Sequence, residues 1–85
     1  MDICEIIKKL GSDKIPELAG EIFKLSLIDS TKDDLNTFLH NYLKNDYDFS
    51  SEDVIDSLEK EDAISFNPML QFNILQIMAI RNRCL

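Results

Sequence analysis

The sequence predicts an all-α fold, a compact bundle of four to five short helices packed around an apolar C-terminal helix. Three observations carry this expectation. Only two Gly and two Pro occur among 85 residues, too few turn formers for a many-stranded β fold. Apolar residues recur at i, i+3, i+4 and i+7 in successive segments, the spacing of one helix face. Each such segment also opens on a residue suited to starting a helix. The length suits one domain covering residues 1–85, which buries roughly 60–65% of its unfolded surface.

The first helix is expected from about Ile3 to Leu10, with Asp2 as cap and Gly11 as stop. Ile3, Ile6, Ile7 and Leu10 form its inner face. The second spans about Ile15 to Leu27, with Pro16 in the first turn, where its missing N–H costs nothing. Its stripe is Ile15, Leu18, Ala19, Ile22, Leu25 and Ser26. Gly20 inside this helix costs about 1 kcal/mol relative to alanine, and close approach of a neighbouring helix is one reason to keep it.

The third helix begins at Ser30 or Thr31, has Asp33 and Asp34 in its first turn, and ends near Lys44. Leu35, Phe38, Leu39, Tyr42 and Leu43 face inward. Ser50 and Ser51 open the fourth, about Ser51 to Lys60, whose apolar face is only Val54, Ile55 and Leu58. Asp53, Asp56 and Glu59 are then expected to point outward. Asn67 and Pro68 read as cap and first residue of a fifth helix ending near Arg83. Its apolar residues, from Met69 to Ile80, cover nearly the whole circumference, which predicts a central, buried helix or a spare face for dimerisation.

The net charge of −7 lies in one window. Asp46 to Asp62 holds eight carboxylates and one lysine, while acids and bases cancel over the other residues. Such crowding costs free energy that a positively charged partner would recover. Tyr47 and Phe49 stand among the carboxylates, and aromatic anchors ringed by charge are a common interface composition. Phe49 has a second reading, as a hydrophobic staple at the start of the fourth helix. The bland reading of the whole window is a solvated face that keeps a small protein soluble.

Catalytic and cofactor chemistry finds little support, and the chain is expected not to be an enzyme. His40 is the only histidine and more ordinarily a surface or packing residue than a general base. Cys4 and Cys84 lack a CxxC partner; they are expected as reduced, partly buried thiols of a cytoplasmic protein, with a terminus-to-terminus disulfide as the alternative. The start, MDICEIIKKL, has an acid at position two and does not read as a signal peptide. Met69 to Ile80 is too short and too interrupted by Gln71, Asn73 and Gln76 to cross a membrane.

Two motif readings fail on their context. Asp46, Asp48 and Ser50 occupy the first three ligand positions of a calcium-binding EF-hand loop, but Ser51 stands where its glycine belongs and Ser57 where its bidentate glutamate belongs. Asp56-Ser57-Leu58 resembles the tripeptide around the phosphopantetheine serine of acyl carrier proteins. In that family the serine opens a helix and a glycine precedes the tripeptide, whereas Ser57 is predicted inside a helix. No metal and no cofactor is expected.

The function expected is that of a small acidic inhibitor of a basic protein, most concretely an immunity protein that covers the substrate groove of a toxic nuclease. Helical immunity proteins of nuclease bacteriocins are similar in size and acidity, but their Tyr-Tyr-Pro segment has no counterpart here. Asp46, Asp48, Glu52, Asp53, Asp56 and Glu59 would steer and pair with the partner's Lys and Arg, with Tyr47 and Phe49 in apolar contact. Direct nucleic-acid binding by this face is disfavoured by charge. The alternative is a dimeric regulatory or adaptor module that pairs through its C-terminal helix, with Phe72, Ile77 and Ile80 on the pairing face.

Overall fold

A computed structural model describes residues 1–85. Five helices run α1 (Ile3–Leu10), α2 (Ile15–Leu27), α3 (Lys32–Leu43), α4 (Ser51–Lys60) and α5 (Ile74–Arg83). A single 3₁₀ turn, Ser12–Lys14, leads into α2, and a two-stranded antiparallel hairpin, β1 (Ile64–Phe66) and β2 (Leu70–Phe72), precedes α5. The fold is therefore mostly helical and not all-α.

The first four helices form where their start signals place them. Asp2 accepts from the Cys4 N–H, and Gly11 ends α1 at φ +100°, a conformation that favours glycine. Thr31 and Asp34 cap α3 reciprocally, as Ser50 and Asp53 cap α4. In each pair the hydroxyl accepts from the N–H three residues on and the carboxylate accepts from the cap N–H. Lys44 ends α3 in the left-handed region.

The predicted fifth helix is wrong over its first turns. Ile64-Ser65-Phe66 and Leu70-Gln71-Phe72 each read buried, exposed, half-buried, the two-residue alternation of a strand with one face inward. Ile64 pairs with Phe72 and Phe66 with Leu70. Asn67 and Pro68, joined by a cis peptide, form the hairpin turn and not a helix start. Asn73 caps α5 instead, its side chain accepting from the Gln76 N–H. Once Met69 to Phe72 leave the helix, the all-round apolar pattern disappears. Only Ile77 and Ile80 of α5 are buried, while Leu75 is 79% exposed, so α5 covers the core from one side and is not its axis.

One apolar cluster holds the elements together, with Ile6, Ile7, Ile22, Leu35, Leu39, Ile55 and Ile80 fully enclosed. Neither Ile77 nor Ile80 is free to form the pairing face expected of the C-terminal helix. The expectation of reduced thiols is also overturned: Cys4 and Cys84 form a disulfide that ties α1 to the end of α5. Gly20 gives no close helix approach, since a Cβ there would meet nothing within 4 Å. No helix is long and apolar enough to cross a membrane.

Candidate functional site: the acidic groove between α3 and α4

Helices α3 and α4 pack antiparallel. Lys32, at the start of α3, reaches Glu59 near the end of α4 at 3.0 Å, and Ser51 at the start of α4 donates to Asn36 at 2.6 Å. Residues 52, 55, 56 and 59 fall on one flank of α4 by their i, i+3, i+4, i+7 spacing. That flank faces α3. Between the two helices lies a cavity of about 240 Å³ lined by Lys32, Asp33, Asn36, Glu52, Ile55 and Asp56.

Three carboxylates, those of Asp33, Glu52 and Asp56, line this groove without an ion-pair partner. The one cation present is already engaged. Glu59 hydrogen-bonds the Lys32 ammonium and, with its charge, raises the lysine pKa above its ordinary value; Asp56 adds to this more weakly. Lys32 also lies over the Phe66 ring at 5.6 Å from its centre, which holds it toward the hairpin. The groove thus offers unpaired negative charge beside an apolar floor at Ile55.

The residues expected to form one docking face divide. Glu52 and Asp56 meet in the groove, with Glu59 at its rim. Asp53 is outside the groove's lining, and its carboxylate is turned back to the helix start, where it accepts from the Ser50 N–H at 2.8 Å. Asp48 turns toward α1 and binds Lys9 at 2.7 and 2.9 Å, a hydrogen bond that lowers its pKa. Asp46 is exposed, before this turn. Phe49 is 6% exposed and belongs to the core, so the staple reading holds for it; Val54, at the matching helix position, is buried in the same cluster. Tyr47 stacks on Phe49 with ring centres 5.2 Å apart and remains half-buried.

No known protein family, curated protein or solved structure matches the chain.

The groove contains four residues that the sequence reading did not assign to a site, Lys32, Asp33, Asn36 and Ile55. Asp33 was accounted for as a first-turn acid. Its signal was the spacing Asp33, Asn36, His40, which puts three polar side chains along the α3 flank next to the buried stripe. His40, exposed, lines a smaller cavity of about 130 Å³ further along the same face, with Asn45, Phe49, Ser50 and Ser51. The two serine hydroxyls there are committed, Ser50 to the Asp53 N–H and Ser51 to Asn36. Ser57, of the tripeptide resembling acyl carriers, is buried within α4 and donates to the Met1 carbonyl.

Proposed function

We propose that the chain is a small acidic protein-binding inhibitor that docks onto a basic partner through its α3–α4 face. In its most concrete form it is an immunity protein covering the substrate groove of a toxic nuclease. The observation that carries the reading is the set of Asp33, Glu52 and Asp56 carboxylates around one groove, with Lys32 already occupied by Glu59. Carboxylates held together without cations repel one another, and a partner's Arg or Lys entering the groove relieves this with charge-assisted hydrogen bonds.

Asp46 is exposed and Tyr47 half-buried in the loop before α4, outside the groove's lining, and Asp48, Asp53 and Phe49 act within the fold. In this reading the protein is not an enzyme and uses no cofactor. A cytoplasmic setting remains part of it, and there the Cys4–Cys84 bond would meet reducing conditions.

The test is association with a basic nuclease encoded beside the gene, followed as a function of salt. Steered binding slows as salt rises. Glu52→Lys with Asp56→Lys, both at exposed positions, is expected to slow association by about ten-fold or more. An unchanged rate in this variant would sink the reading.

A further inference from the structure

Helix α5 is held to the rest of the fold by few side chains. Helix α1 buries four of its eight residues and α4 five of its ten, whereas α5 buries only Ile77 and Ile80. Three polar contacts add to these two. Gln76 donates to the Glu61 carbonyl at 2.8 Å, Arg81 to the Ser12 carbonyl at 2.5 Å, and Arg83 pairs with the Glu61 carboxylate at 2.8 Å. The last is exposed, where an ion pair contributes little. Helices α1 to α4 and the hairpin all precede α5, so its departure leaves their chain connections in place. The hairpin has its own anchors, since the Leu70 N–H donates to the Ser30 carbonyl and the Asn73 N–H to the Ala63 carbonyl.

What α5 covers is apolar. A cavity of about 20 Å³ is lined wholly by apolar side chains, of which Ile77 is the one from α5. Its walls include Ile6 and Leu10 of α1, Leu18 and Ile22 of α2, and Val54 of α4. Ile77 therefore closes a cleft between α1 and α2, and lifting α5 opens that cleft to water.

The disulfide acts on this same element. With the bond closed, α5 is pinned at both ends, to the hairpin through Asn73 and to α1 through Cys84. Residues released between these points gain only the freedom of a closed loop of about eleven residues. With the bond open, they are held to this body at Asn73 alone and gain the freedom of a tail. In the chain-entropy account the difference makes opening of α5 about a hundred-fold more frequent in the reduced chain. The bond is reachable from its Cys4 side, which is half-buried, whereas Cys84 is 6% exposed.

We propose that the Cys4–Cys84 bond is a redox latch on α5: a dithiol that reduces it lets α5 lift from α1 and α2 while the other helices and the hairpin stay folded. One thiolate of the dithiol attacks the Cys4 sulfur, the S–S bond breaks, and Cys84 leaves as a thiolate that takes up a proton. The second thiol of the reductant then attacks the mixed disulfide and releases the Cys4 thiol. Two electrons and two protons pass to the protein, and the dithiol becomes its disulfide. The open state presents the α1–α2 cleft to apolar groups. No residue of α1 or α5 lines the acidic groove, so the latch stands apart from docking there.

The experiment is amide hydrogen exchange of three samples at several urea concentrations below the unfolding midpoint. The samples are the oxidised protein, the protein reduced with dithiothreitol, and Cys4→Ser with Cys84→Ser. In the last two, α5 amides are expected to exchange about ten-fold or more faster than those of α3 and α4, with little dependence on urea, because local opening exposes little surface. In the oxidised protein the α5 amides should slow by about a hundred-fold. Iodoacetamide should alkylate Cys84 of the reduced chain, freed of dithiothreitol, with the same flat urea dependence. Exchange of α5 together with α3 and α4, on one steep urea dependence, would overturn the proposal, since the bond would then restrain global unfolding alone. Local opening of α5 that is equally frequent in the oxidised protein would leave the bond without control of this helix and overturn it too. So would loss of the whole helical circular dichroism signal on reduction, which would show that the bond holds every helix and not α5 in particular.

Discussion

Cys4, in the first turn of α1, is joined to Cys84, the residue that closes α5, across a sequence separation of 80. The bond links two elements that already touch in the core, so it adds little to the native contacts. Its effect lies on the unfolded chain, whose ends it holds together. In the chain-entropy account a loop of this length is worth about 4.5 kcal/mol. That is a large part of what a chain of this size has, given about 0.05–0.15 kcal/mol per residue. Reduction, or Cys4→Ser with Cys84→Ser, is expected to lower the urea midpoint accordingly, measured with and without reductant. An unchanged midpoint would mean that the bond does not form in solution.

The reciprocal caps give a second prediction. The Asp53 carboxylate accepts from the Ser50 N–H at 2.8 Å, and the Ser50 hydroxyl accepts from the Asp53 N–H at 3.1 Å. Ser50→Ala and Asp53→Ala are each expected to cost about 1 kcal/mol in denaturant unfolding. The double variant should lose less than the sum, because either change disrupts the same box. Partner binding through the groove should be changed by Asp53→Ala only by the loss of one neighbouring charge outside its lining. A large, specific loss of affinity in that variant would return Asp53 to the docking face.

How far the sequence was legible follows from what each signal measures. Caps and stripes act over one or two turns, so Asp2, Thr31 and Ser50 mark real helix starts. The hairpin was hidden because its strands are three residues long, too short for a two-residue period to stand out, and the second of them lies within the apolar run Met69 to Ile80. Asn67-Pro68 suits a turn as well as a helix start, and only the pairing of Ile64 with Phe72 decides between them. The acidic window was visible as charge, but its division was not. Asp48 finds Lys9, and Glu59 finds Lys32, through contacts 39 and 27 residues apart. Local spacing reveals which flank a carboxylate occupies, and nothing about a distant lysine.

Gly20 carries a third prediction. It lies within α2, and a Cβ at this position would meet no atom within 4 Å. No positive φ requires glycine here. Gly20→Ala therefore removes backbone freedom from the unfolded chain without introducing a clash, and is expected to stabilise the monomer by about 0.5–1 kcal/mol. Thermal unfolding of the dilute protein measures it. A destabilised variant would show that something packs against this position in solution.

The exposed ion pairs set the pH dependence at both extremes. The Lys9 ammonium, hydrogen-bonded to both oxygens of Asp48, holds that carboxyl below its ordinary value near 3.8. In the window below this value the unfolded chain binds the proton more readily than the folded one, so stability rises with pH there. The contribution is fully present above the ordinary value and is lost as pH falls through the folded one. Lys32 behaves in the opposite sense. Glu59 raises its pKa above 10.5, so its contribution is present below that value and is lost as pH rises through the raised one. Both pairs are solvent-exposed, 41% and 66% for the first and 53% and 36% for the second, and screening keeps each contribution small. The site-specific titration is the sharper measurement. Lys9→Met is expected to return the Asp48 carboxyl toward its ordinary value in a carbon-detected NMR titration, and Glu59→Gln to lower the Lys32 ammonium toward its own. High salt should move both wild-type values the same way. An Asp48 titration that does not respond to loss of Lys9 would show that the pair does not persist in solution, and would place the Asp48 carboxylate back among those available to a partner.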